Sequence, residues 1–201
     1  MSAKLIQPII IPELFQSLVN KIALVLSSVD IDGNVVVLNT RFKHGTIKSL
    51  NADISTELQN PEKKDNRYPL IALIHNFTET FNDSVRSYTN VKCKVIIMYA
   101  STQQKTYEER YNYNFKHILY NVWINLIAVM EDSNNFIFDK TKGIKFEKTD
   151  RPAMGNFGND GNNAVQFGDF IDAIELDFDL TINNVICIKN LISENEIKIL
   201  N

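Results

Sequence analysis

The acidic residues late in the chain are the most ordered set of reactive side chains in the sequence. Ile174, Leu176, Phe178, Leu180 and Ile182 alternate strictly with Glu175, Asp177, Asp179, Thr181 and Asn183. A period of two puts the apolar set on one side of a strand and the acids on the other, with successive carboxylates about 6.6–7 Å apart. That spacing suits a paired-carboxylate site and is a little long for a single metal to bridge. The other readings are a solvated strand face and a surface that repels a polyanion. His44, His75 and His117 are far apart in sequence and fit neither HExxH nor CxxC spacing. His75 closes a strand and His117 lies near the apolar face of a helix, so both read as structural or surface residues. Cys93 and Cys187 sit in apolar runs, as buried free thiols do.

Gly155, Gly158 and Gly161 are three apart, but they neither follow a strand nor open a helix, so they do not form a dinucleotide loop. Asn159, Asp160, Asn162 and Asn163 offer oxygen ligands with a single carboxylate and no following bidentate Glu, too few for a firm calcium loop. Neither a GxSxG elbow nor a GxxxxGK[ST] loop occurs. The expectation is a chain without catalytic, cofactor-binding or metal-ligating residues.

The elements that must position these groups read as one α+β domain over 1–201. Its mixed or antiparallel sheet would carry an N-terminal helix and one long helix on one face, plus long loops. Leu14, Leu18, Ile22 and Val25, with Phe15, Val19 and Leu26, give helical spacing over 12–27. Val35–Leu38 reads as a short buried strand. Residues 40–66 read as a long loop with room for a strand at 46–50. Leu70–Ile74 and Val91–Tyr99 read as strands separated by a polar excursion over 76–90. Thr106-Tyr-Glu-Glu109 fits a capping box, and Tyr111, Phe115, Ile118, Leu119, Val122, Leu126, Val129 and Met130 continue a helix for about six turns. Residues 136–138 and 144–146 flank Thr141-Lys142-Gly143 as a hairpin. A Gly/Asn-rich loop fills 149–169, and an apolar arm fills 185–201.

Composition adds bounds. With 201 residues, 44% hydrophobic, the chain buries a core without needing disulfides. A net charge of −3 argues against a strongly basic nucleic-acid binder. Residues 151–201 hold three basic against eight acidic side chains, so the acid excess lies in the last quarter. The longest unbroken apolar run, Val95–Ala100, is far short of a membrane span. Nor does the N-terminal segment read as a signal peptide. The sequence alone therefore points to a soluble protein made in a cytoplasm.

In order, Arg67-Tyr-Pro-Leu-Ile71, the strand Val91–Tyr99 with Ser101-Thr102, Thr106-Tyr-Glu-Glu-Arg-Tyr111, Phe115-Lys-His-Ile-Leu119, Asn134-Asn-Phe136 and Phe170–Ile182 resemble the tail-terminator and tail-completion proteins of tailed bacteriophages. The likeness is to those of gut Bacteroidetes phages, the crAss-like group included, and covers about residues 67–183. It implies a non-enzymatic virion protein of the head–tail connector, neck or tail end, made in the host cytoplasm. Such a protein would be a cyclic homo-oligomer of six or twelve copies, joined to other neck, portal-side or tail proteins. DNA would pass through it without specific binding, and no membrane, cofactor or metal is implied. Glu175, Asp177 and Asp179 would then form an acidic stripe facing the channel or otherwise exposed. Arg41, Phe42, Lys43 and His44 in one loop, and Arg151, Met154, Phe157 and Phe167 in the other, would contact neighbouring subunits. Two other readings are a small metal-dependent enzyme using the acidic strand 174–182 with His75, and an intracellular protein-interaction adaptor.

Overall fold

A computed structural model describes residues 10–23, 27–29, 35–58, 67–81, 88–102, 104–154 and 170–183. In chain order the elements are α1 (Ile11–Ala23), β1 (Ser27–Val29), β2 (Val35–Val37), β3 (Arg41–Gly45), α2 (Ile47–Leu58), β4 (Leu70–Phe81) and β5 (Tyr88–Ala100). A long helix over 107–132, α3, follows, then β6 (Phe136–Ile137), β7 (Phe146–Arg151) and β8 (Ile171–Asn183). Six strands form one mixed sheet in the order β3-β4-β5-β8-β6, with β7 also paired to β8. Only β3 and β4 run parallel; the other pairs are antiparallel. The α+β class read from the sequence is the class observed.

The two faces of the sheet are covered unequally, and the sequence pattern records it. Ile71, Leu73, Cys93, Val95, Ile97, Ile174, Leu176, Phe178, Leu180 and Ile182 face Phe15, Leu18, Val19 and Ile22 of α1 and Phe115, Leu119, Val122, Leu126 and Met130 of α3. On the opposite face, Leu50 and Ile54 of α2 cover Leu70, Ala72, Ile74, Ile96, Met98, Ile171 and Ala173. Where both faces are covered, β4 and β5 read as unbroken apolar runs; where α2 ends, they and β8 alternate apolar with polar. Each fully buried Leu, Ile or Phe contributes about 1.5–3 kcal/mol relative to exposure.

Several expectations give way here. The region 40–66 is not one long loop: residues 41–45 form an edge strand and 47–58 a helix, so helices lie on both faces of the sheet. Thr46 opens α2 by accepting the Ser49 backbone N–H at 3.2 Å. The helix was passed over because its apolar stripe, Ile47, Leu50 and Ile54 among the described side chains, is thin among polar residues. Within 76–90, residues 76–81 and 88–90 are strand and not an excursion, since β4 continues to Phe81 and β5 begins at Tyr88, with a register shift between Ile74 and Thr78. Val35–Val37 is a strand but not a buried one: Val35 and Val37 are 71% and 66% exposed, and β2 pairs only with β1 among the described residues. Residues 136–138 and 144–146 form no hairpin, because β6 and β7 each pair with β8.

The capping box stands as read. Thr106 Oγ1 accepts the Glu109 N–H, and the Glu109 carboxylate accepts the Thr106 N–H at 2.7 Å. The Thr106 N–H, then its hydroxyl, both donating to the carboxylate, hold the Glu109 carboxyl below its ordinary value. Thr106→Ala is expected to destabilise the protein by about 1 kcal/mol, read from the midpoint of urea unfolding.

Behind the cap the helix departs from α geometry. Arg110–Leu119 is a π-helix, with the Tyr120 N–H bonded to the Phe115 carbonyl, and Tyr120–Asp132 returns to α. At 3.6 residues per turn, Arg110 and Leu119 would lie about 180° apart around the axis. The wider i→i−5 turn brings Arg110, Asn114, Phe115 and Leu119 to one side, and all four are buried.

Candidate functional site

Beyond the end of α2, the second sheet face opens into a cavity of about 770 Å³. Ile47, Ile74 and Ile96 line its apolar end, and Lys92, Lys94, Arg151, Glu175, Asp177 and Asp179 are among the charged residues elsewhere on its wall. In register, Lys92 lies opposite Asp179 and Lys94 opposite Asp177, so the acids of β8 are matched by bases on β5. Glu175 is the buried member, with its side chain 8% exposed. One of its oxygens accepts from Arg151 Nε at 3.2 Å and Nη2 at 3.1 Å, with Lys94 Nζ at 3.5 Å. Lys94 also lies 3.4 Å from Asp177.

The acidic residues expected as one stripe therefore divide. Asp177 and Asp179 are exposed, whereas Glu175 is enclosed and neutralised because Arg151 folds over it from β7. Nor is His75 brought to these acids. It leaves β4 on the α1/α3 side of the sheet, while β5 separates β4 from β8. Among the described residues, no three His, Cys, Asp or Glu side chains come together to hold a metal.

The residues expected in subunit-contacting loops are mostly in regular structure. Arg41, Phe42, Lys43 and His44 are strand residues of β3, Arg151 ends β7, and Met154 is buried beneath α2. Phe157, Phe167, the loop 155–169 and the arm 185–201 lie outside the described residues, as do Cys187 and the calcium-loop candidates. Cys93 is a buried free thiol, as expected; burial, then the charge of Asp177, pushes its pKa up to about 12. It is therefore an unreactive thiol at neutral pH.

Arg41 and Lys43 are committed to α2. Arg41 donates to both oxygens of Glu57, at 3.0 and 2.9 Å, and Lys43 reaches the same carboxylate at 3.1 Å. The Arg41 hydrogen bond outweighs the cost of partial burial and, with Lys43, holds the Glu57 carboxyl below its ordinary value of 4.5. A depressed carboxyl contributes stability that is present above the unfolded value and lost as pH falls through the folded one. Stability is therefore expected to decline as pH drops below 4.5, and Glu57→Gln to flatten that part of the decline, measured as urea midpoints against pH.

Two polar clusters fasten the sheet to α3. Asp172, fully buried, accepts from Arg110 Nη1 at 3.0 Å, Asn114 Nδ2 at 2.6 Å and the Ala153 N–H at 2.9 Å. Arg110 also donates to Ser101 Oγ and to the Thr102 and Lys105 carbonyls. The sequence did carry a signal for this clamp. By parity Asp172 belongs with Ile174–Ile182 on the apolar side of β8, where a carboxylate needs a buried partner. At the other cluster, Tyr120 donates to Asp150 at 2.8 Å, and Lys148 bonds Asp150 at 2.6 Å while lying over the Tyr120 and Trp123 rings. Burial, then Asp150, pushes the Tyr120 hydroxyl above its ordinary range, so the group anchors β7 and does not serve as an acid.

The class defined by these features is an α+β domain with a mixed sheet, helices on both faces and a charged concavity beside the shorter helix. No family model, curated protein or solved structure matches the chain. Among the described residues, no helix is long and apolar enough to cross a membrane.

Proposed function

We propose that this chain is the subunit of a ring at the neck or tail end of a bacteriophage particle, a structural part of the head–tail connection. The observation that carries the reading is the unlikeness of the two sheet edges. One edge is β3, parallel to its neighbour; the other is β6 with β7, antiparallel to β8. Unlike edges favour head-to-tail contacts, which close into rings when the rotation between copies allows it. Asp177 and Asp179 are exposed but matched by Lys94 and Lys92 across the strand pair, which leaves this face close to neutral and suits a channel wall that does not grip DNA. Portal-side and tail proteins are the partners of such a ring, in six or twelve copies, and the virion is its place.

Light scattering and negative-stain electron microscopy at millimolar protein concentration test this. Closed rings are expected, and a persistent monomer would overturn it. The wall assignment has its own test. Asp177→Lys with Asp179→Lys is expected to create salt-sensitive retention of duplex DNA that the native protein lacks. Retention by the native protein would sink that assignment.

A further inference from the structure

We infer that His44 and His75 form a binding site for a soft-to-borderline divalent transition metal, copper(II) foremost and nickel(II) after it. The inference is independent of the ring proposal, since it rests on two side chains of one subunit. The two histidines come from adjacent parallel strands, β3 and β4, and both are exposed. His44 Nδ1 lies 2.7 Å from His75 Nε2. The ring centroids are 4.8 Å apart with planes 20° from parallel. That separation is only slightly less than the N···N gap plus the two centroid-to-nitrogen radii. The rings therefore meet edge to edge, nitrogen facing nitrogen, with one N–H donating to the other ring's lone pair.

The nitrogen-to-nitrogen gap is close to that of two imidazoles on one metal. With bonds of about 2.0 Å, a cis pair at a right angle needs its nitrogens about 2.8 Å apart, and a tetrahedral pair about 3.3 Å. The observed gap nearly equals the first value and falls well short of the second, and each ring must turn by about 45° to aim its lone pair at the metal and no longer at the other ring. Square-planar or octahedral ions are thereby favoured over tetrahedral zinc. The ring that donates must move its proton to its other nitrogen, a tautomer change with no net proton lost. Phe42 packs 6.0 Å from His44 and Phe77 edge-on 5.7 Å from His75, and both phenylalanines are seated against the core. The phenylalanines thus keep the two imidazoles beside one another, and the ordering cost of binding is limited to turning the two rings. The remaining coordination positions are filled by water, since both rings face solvent.

Isothermal titration of the full chain with copper(II) should show one site per subunit. Electron paramagnetic resonance of the loaded protein should show coupling to two nitrogens. His44→Gln and His75→Gln should each weaken binding at least about tenfold, which is about 1.4 kcal/mol, while His117→Gln should not. Magnesium should not bind, because imidazole is a poor ligand for that hard ion. Absence of stoichiometric copper binding would overturn the inference. So would a copper spectrum without two-nitrogen coupling, or affinity unchanged in His75→Gln with thermal unfolding at the native temperature.

Discussion

Asp172→Ala is expected to destabilise the protein by about 3–5 kcal/mol, because it strands the Arg110 guanidinium in a site that excludes water. Arg110 is 6% exposed and Asp172 is 0% exposed, so solvent cannot take over the lost contacts. Three donors lose their acceptor together: Arg110 Nη1, Asn114 Nδ2 and the Ala153 N–H. A typical domain has about 5–15 kcal/mol of total stability, so this single change removes a large share of it. Chemical unfolding followed by circular dichroism measures the loss. Replacing Arg110 and Asp172 together by apolar residues of similar volume should recover much of it, since the penalty belongs to the unpaired charge. A loss below about 1 kcal/mol for Asp172→Ala would mean that water enters and satisfies Arg110.

The second large effect is expected at Phe15. Its ring is fully buried under the sheet, 6.5 Å from Phe178 at 53°, and it anchors the apolar stripe of α1. Phe15→Ala removes the ring and leaves a cavity, a combined cost of about 3–5 kcal/mol. In a chain of this size that corresponds to a fall in Tm of about 6–20 °C by calorimetry. Gln16, one residue on, points to solvent and bonds Asn20, and Gln16→Ala should stay within about 0.5 kcal/mol. A small effect at Phe15 would mean that α1 contributes little to holding the sheet.

Local chemistry was legible. The Thr106 cap needs only residues three positions apart, and the period of two over 174–182 needs only one strand with one covered face. The helix α1 was readable because its apolar stripe is dense. By contrast, α2 carries a sparse helical stripe, Ile47, Leu50 and Ile54, among polar residues, and β3 is rich in charge, so neither stood out from a loop. The charges of β3 make sense only once Glu57 lies above Arg41 and Lys43. The acidic set was found in sequence, but which member was enclosed depended on Arg151 crossing from β7, twenty-four residues away in the chain.

The sequence by itself determined the class of the fold, the start of α3, the burial of Cys93 and the acidic side of β8. These follow from periodicity and capping, which act over a few residues. Only the tertiary structure decided the covering of the second sheet face by α2, the π turn that aims Arg110 at Asp172, the neutralisation of Glu175 and the meeting of His44 with His75. The physical reason is tertiary packing and strand pairing, which join residues far apart in the chain, twenty-four positions for Arg151 and Glu175 and thirty-one for His44 and His75, through backbone register that no local pattern encodes.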